Sequence, residues 1–90
     1  MKNKNLLITG AATRVGKAIA LHFAKRGWNI GLHYFRSSSK AKELKKIIEQ
    51  HWVKVALIKA DLKNPKQTEK IISLAKKKLG VINCLVNNAA

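Results

Sequence analysis

Thr9-Gly10-Ala11-Ala12-Thr13-Arg14-Val15-Gly16 joins an apolar run, Leu6-Leu7-Ile8, to a segment of helical spacing that begins near Val15. A glycine-bearing turn between a strand and a helix lets backbone N–H groups approach a phosphate, and the helix N-terminus adds partial positive charge. The stretch therefore reads as a nucleotide-binding grip. Its spacing excludes two common forms. In G-x-G-x-x-G the second and third glycines would fall at Ala12 and Val15. In G-x-x-x-x-G-K-[ST] one residue too many separates Gly10 from Gly16-Lys17, and Ala18 has no hydroxyl to offer magnesium.

What remains is Thr-Gly-x-x-x-Arg-x-Gly. It resembles the Thr-Gly-x-x-x-Gly-x-Gly cofactor motif of the short-chain dehydrogenases/reductases, with Arg14 in place of the middle glycine, a variant similar to the pteridine reductase branch. Further along, Trp28 to His33 reads as a second strand, followed by Tyr34-Phe35-Arg36-Ser37-Ser38 where such folds hold the adenosine ribose. A free 2′-hydroxyl favours Asp or Glu there, yet no carboxylate precedes Glu43. Arg36 offers a planar fork to a 2′-phosphate, Ser37 and Ser38 offer hydroxyls, and Arg14 a second guanidinium. The expected cofactor is NADPH rather than NADH.

Two weaker resemblances follow in the same order. Asp61-Leu62 is similar to the family's acidic-apolar pair at the adenine ring. Asn87-Asn88-Ala89-Ala90 is similar to its Asn-Asn-Ala-Gly sequence, with Ala90 standing for the glycine. The resemblance thus implies a cofactor site of Gly10, Thr13, Arg14, Val15, Gly16, Tyr34, Arg36, Ser37, Ser38, Asp61, Leu62, Asn88 and Ala89. Blander roles stand beside these. Gly10 and Gly16 suit a tight turn and close helix packing, Arg36 a solvated loop, Ser37 and Ser38 helix capping, and Asp61 a turn. His22, His33 and His51 read as packing or surface residues, and Trp28 and Trp52 as packing at strand entrances.

The family's acid/base pair is Tyr-x-x-x-Lys. The one tyrosine, Tyr34, has Ser38 four positions later, so no catalytic residue is assigned. The resemblance implies the cofactor-binding half of a longer, usually homo-oligomeric enzyme that reduces a pterin, a dihydrofolate or another small carbonyl or imine substrate. A β-ketoacyl reductase is the alternative within the family.

Ninety residues, 47% hydrophobic and 26% charged, permit one globular domain over 1–90. Cys84 is the single cysteine, so no internal disulfide forms, and its apolar surroundings favour packing. Lys2 and Lys4 precede an apolar stretch too short for a secretory signal, and no run approaches the ~18–20 residues of a membrane span. The expected location is cytoplasmic. The charge is unusual, with 19 Lys+Arg against 4 Asp+Glu giving +15. A basic nucleic-acid-binding module is the alternative of another class, but no aromatic residues interleave with the lysines as stacking platforms. A solvated lysine-rich surface is the favoured reading, and nucleic acid is not the expected partner.

The chain reads as alternating strand and helix. Strands are expected near Asn5–Ile8, Trp28–His33, Val53–Ile58 and Asn83–Val86. The first helix runs near Val15–Arg26 with Val15, Ala18, Ile19 and Phe23 inward. The second starts after Ser38 or Ser39 and turns Leu44, Ile47 and Ile48 to the core. The third starts with Asn64 as N-cap, Pro65 at the first helical position and Gln67 completing a capping box, with Ile71, Ile72, Ala75 and Leu79 inward and Gly80 as its stop. Right-handed crossovers then give an α/β, Rossmann-type doubly wound parallel sheet, for which the resemblance implies the order 3-2-1-4, cut off after the fourth strand. Its fourth strand is expected to be an open, apolar edge.

Overall fold

The computed structural model describes residues 3–89. Apolar residues at strand spacing form β1 (Asn5–Ile8), β2 (Asn29–Tyr34), β3 (Val55–Lys59) and β4 (Cys84–Val86). Between them lie α1 (Arg14–Ala24), α2 (Ser38–Glu49) and α3 (Pro65–Leu79). All strand pairings are parallel and the order is β3-β2-β1-β4, as expected. In β1, Leu6 and Ile8 face α1 and α2 in one core while Leu7 faces α3 in another, because successive strand side chains alternate between faces. Ile30, Leu32, Ala20, Ala24, Leu44 and Ile48 complete the first core; Ile58, Ala60, Ile71 and Ala75 complete the second.

The amino ends of the strands are tied together by side-chain amides. Asn5 sits in the middle: its N–H donates to Asn83 Oδ1 (2.8 Å), and its Nδ2 donates to the carbonyls of Leu79 and Val81. Asn29 Nδ2 donates to Asn5 Oδ1 (2.9 Å), and Asn29 Oδ1 accepts from the Lys54 N–H (2.8 Å). This ladder crosses the sheet from the approach to β4, through β1 and β2, to the approach to β3. It satisfies backbone groups that the short strands leave unpaired.

Several local expectations are corrected. In α1, Gly16, Ala20 and Ala24 are buried and Ile19 and Phe23 pack against the core as expected, but Val15 is 63% exposed and Ala18 is exposed. Small residues let α1 seat close to the sheet, which leaves Val15 on its solvent side. In α3, Ile71 and Ala75 are buried but Ile72 is 45% exposed, and in α2 Ile47 is 39% exposed. Trp28 packs edge-to-face on Phe23 (4.9 Å between centroids), but Trp52 is 93% exposed on a turn where its φ is 62°. The N-cap of α2 is Ser37, one of the serines weighed for capping and one residue before the helix start expected after Ser38 or Ser39, but its side chain makes no capping bond. Asn64 does cap α3, accepting from the Lys66 N–H (3.0 Å), yet no capping box closes. The Asn64 N–H is already bonded to the Asp61 carbonyl, so Gln67 Oε1 accepts from the Asp61 N–H instead (2.7 Å).

Candidate functional site

Parallel topology places the carboxyl ends of all four strands on one side, and the loops that follow them converge there. The first of these loops is held by the last. Thr9 Oγ1 donates to Asn87 Oδ1 (3.1 Å) and accepts from the N–H groups of Asn88 (3.0 Å) and Ala89 (3.1 Å). Asn88 Nδ2 donates to the Gly10 carbonyl (3.0 Å). Thr9 therefore acts as a buried clasp between the turn after β1 and the segment after β4. It was part of the quoted motif, but nothing in the sequence gave its hydroxyl this task.

The turn itself needs its glycines. Gly10 has φ of 60°, a left-handed conformation that glycine adopts without steric cost, and a Cβ there would lie 3.2 Å from Ala89. A Cβ at Gly16 would strike the Gly10 carbonyl oxygen and come within 2.7 Å of Asn88 Nδ2. Arg14, at the first helical position, has φ of 51°. The glycine of the resembling motif would suit that backbone freely, whereas an arginine there is strained.

The N-terminus of α1 carries no side-chain cap on Thr13, and the N–H groups of Arg14, Val15 and Gly16 meet no acceptor among the described residues. Such a helix end is suited to an anion. Thr13 and Arg14 border an open groove of ≈ 490 Å³ between α1 and α2, shared with Lys17, Lys40 and Glu43. At the end of β2, Tyr34 is half-buried against the core, and the Arg36 guanidinium lies 5.3 Å from the Phe35 ring centroid, exposed. Ser37 and Ser38 begin α2 beside it.

At the end of β3, Asp61 Oδ1 accepts from the Lys63 N–H (2.9 Å), the turn role weighed for it, while Leu62 packs partly against the α3 core. The two readings of Asp61 are compatible, because a carboxylate has a second oxygen. Gly10, Gly16, Asn88 and Ala89 are brought into direct proximity, and Thr13 and Arg14 adjoin them at the start of α1. Ala90 lies outside the described residues, as does Lys2. His33 is a buried packing residue, one of the two roles expected of it, and its ring also bridges two loops. It is 2% exposed, accepts from the Gly10 N–H at Nδ1 (3.0 Å) and reaches the Ala60 carbonyl with Nε2 (2.9 Å). Among the described residues no group of His, Cys, Asp and Glu could hold a metal, and no helix is long and apolar enough to cross a membrane.

The chain is similar to known proteins over its whole length. It is 34% identical to the short-chain dehydrogenase/reductase homolog YusS of Bacillus subtilis (strain 168), over 98% of this chain and 81% of that one. It is 32% identical to the 3-oxoacyl-[acyl-carrier-protein] reductase FabG of Staphylococcus epidermidis, over 97% of this chain but 36% of the relative. Several other curated relatives are likewise matched over about a third of their length. The crystal structure of FolM alternative dihydrofolate reductase 1 from Brucella suis in complex with NADP superimposes with a TM-score of 0.90 at 30% identity, covering 97% of this chain and 36% of that one. The model of the short chain dehydrogenase family matches residues 4–90, and the chain belongs to that family.

Proposed function

We propose that this chain is the NADP(H)-binding segment of a short-chain reductase whose substrate is a pterin or a dihydrofolate-like molecule. One observation carries the cofactor reading. The uncapped first turn of α1 lies beside a glycine turn with no room for a Cβ at Gly16, and no carboxylate stands between that turn and Glu43. The residues fit the cofactor. Free N–H groups of Arg14, Val15 and Gly16 suit its pyrophosphate, and Arg36 and Arg14 with Ser37 and Ser38 suit the 2′-phosphate. Tyr34, Asp61 and Leu62 would border the adenosine, and Asn88 and Ala89 the strand-end wall of the crevice.

When bound, the cofactor supplies a hydride to the substrate. This chain's residues bind and orient; none of them is assigned to proton transfer. Exposed Val15 would cover an apolar part of the ligand at the crevice. The pterin reading rests on Arg14 in the middle-glycine position, on the His33-Tyr34-Phe35-Arg36-Ser37 stretch, and on the likeness to the Brucella dihydrofolate reductase. The 3-oxoacyl reductase relative favours a second reading, reduction of a β-ketoacyl thioester. Whole-protein activity, substrate and assembly into oligomers belong to the proposal, since most curated relatives are about three times as long.

Calorimetric titration of the chain with NADPH and with NADH at one ionic strength tests the cofactor. Tighter NADPH binding is expected, and equal affinities would overturn the reading. A full-length protein carrying this segment is expected to turn over dihydrobiopterin in preference to an acetoacetyl thioester; the reverse order would replace the pterin with the thioester.

A further inference from the structure

His33 joins two loops, the turn at Gly10 and the loop at Ala60, that no other side-chain hydrogen bond connects among the described residues. Its Nδ1 lies 3.0 Å from the Gly10 nitrogen and its Nε2 lies 2.9 Å from the Ala60 oxygen. A peptide N–H can only donate and a carbonyl oxygen can only accept. The geometry therefore requires the neutral imidazole with its proton on Nε2. The ring is 2% exposed, so water does not replace either bond. One bond ends in the glycine turn and the other directly before Asp61-Leu62.

We propose that His33 is a positioning residue of the cofactor crevice, fixing the phosphate-facing turn at Gly10 against the adenosine-facing loop at Ala60. This rests on the cofactor reading above. The backbone alone gives a looser connection: the Ala11 N–H bonds the His33 carbonyl and the Ala60 N–H bonds the Tyr34 carbonyl, so each loop is tied to β2 separately. The imidazole sets the distance between them, because its two nitrogens sit on one rigid ring. A dinucleotide that spans both loops gains from that fixed spacing, since less ordering remains for the moment of binding.

The test uses the complete 90-residue chain and the variants H33F, H33N and H33Q, each titrated with NADPH and corrected for folded fraction by circular dichroism. H33F keeps a ring without either polar atom and is expected to bind about tenfold more weakly, the equivalent of one buried donor left unsatisfied. Asn places an acceptor near the position of Nδ1, so H33N is expected to recover to within about threefold of the unsubstituted chain. H33Q, which places a donor near Nε2, is expected to fall between the two. The imidazole ¹⁵N spectrum should show Nδ1 unprotonated and Nε2 protonated.

Binding by H33F as tight as by the unsubstituted chain, or a proton on Nδ1, overturns the proposal. If H33F does not fold, H33N, H33Q and the ¹⁵N pattern decide. If the unsubstituted chain binds no NADPH, the cofactor reading falls. The link itself is then judged by amide exchange at Gly10 in the variants: faster exchange in H33Q than in H33N supports it, and equal rates overturn it.

Discussion

Asn88 Nδ2 lies 3.0 Å from the Gly10 carbonyl oxygen, the same oxygen that a Cβ on Gly16 would strike. The turn after β1, the start of α1 and the segment after β4 thus meet at one backbone atom, and no space is left among them. Gly16→Ala should therefore separate all three. Overpacking of this kind costs roughly 1–3 kcal/mol, and the displaced helix start should weaken NADPH binding by about tenfold or more. Thermal denaturation and calorimetry on the same sample check both; an alanine variant with native stability and affinity would show that the turn is not tightly closed.

Arg14 trades stability for charge. Its φ of 51° costs a side-chain-bearing residue roughly 1–2 kcal/mol, while glycine's greater freedom in the unfolded chain costs roughly 0.5–1. Arg14→Gly is expected to leave stability unchanged or raise it by up to about 1 kcal/mol, and to weaken NADPH binding by about tenfold through loss of one guanidinium. Urea denaturation and titration give the two quantities separately. A clear loss of stability would mean that the arginine side chain is held by contacts that compensate its backbone.

Cofactor choice should follow the guanidinium after β2. Arg36→Asp places a carboxylate where the 2′-phosphate is proposed to lie, so the preference for NADPH over NADH should vanish or reverse. The ratio of the two dissociation constants, measured at fixed salt, is the relevant readout. An unchanged ratio would assign phosphate recognition to Arg14 and the groove lysines.

No reductase turnover is expected from the 90-residue chain itself with NADPH and dihydrobiopterin, dihydrofolate or a quinone, because it holds no Tyr-x-x-x-Lys pair. Absorbance of NADPH followed with homogeneous protein checks this. Sustained, protein-dependent oxidation would reveal a proton donor that neither the motif nor the crevice identifies.

The β4 edge is expected to govern the solution behaviour of the 90-residue chain. Leu85 in β4 is 53% exposed, as is Val81 before it at 74%, and among the described residues β4 pairs only with β1. Self-association through this edge is expected, opposed by the +15 charge and therefore stronger at high salt. Leu85→Lys should shift the chain toward monomer in size-exclusion chromatography with light scattering. A monodisperse monomer at every salt concentration, before any substitution, would contradict this account.

The strands, the three helices and the glycine turn were legible because each depends on local pattern: Leu6-Leu7-Ile8, the 3.6-residue spacing of Leu44 and Ile48, and Asn64-Pro65 at a helix start. The strand order came from the motif's resemblance and not from periodicity. Illegible were the contacts made across the fold. Val15 fits the apolar spacing of α1 yet points outward, because the small residues Gly16, Ala20 and Ala24 decide which face meets the sheet. Gln67 satisfies the capping-box pattern but bonds to Asp61, whose N–H lies within reach only in the folded loop. Thr9, Asn5 and His33 bond to partners 23 to 80 residues away, and no local pattern names those partners even where, as at Thr9 and His33, the neighbours belong to a motif.

The Thr9 clasp also governs when the site can exist during synthesis. The glycine turn is complete in sequence by residue 16, but its hydroxyl partners lie 79 and 80 positions after Thr9. A chain growing from a ribosome therefore carries an unclosed turn until the segment after β4 has cleared the exit tunnel, and contacts of such long separation form slowly. The turn at Gly10 is thus translated long before the segment that closes it.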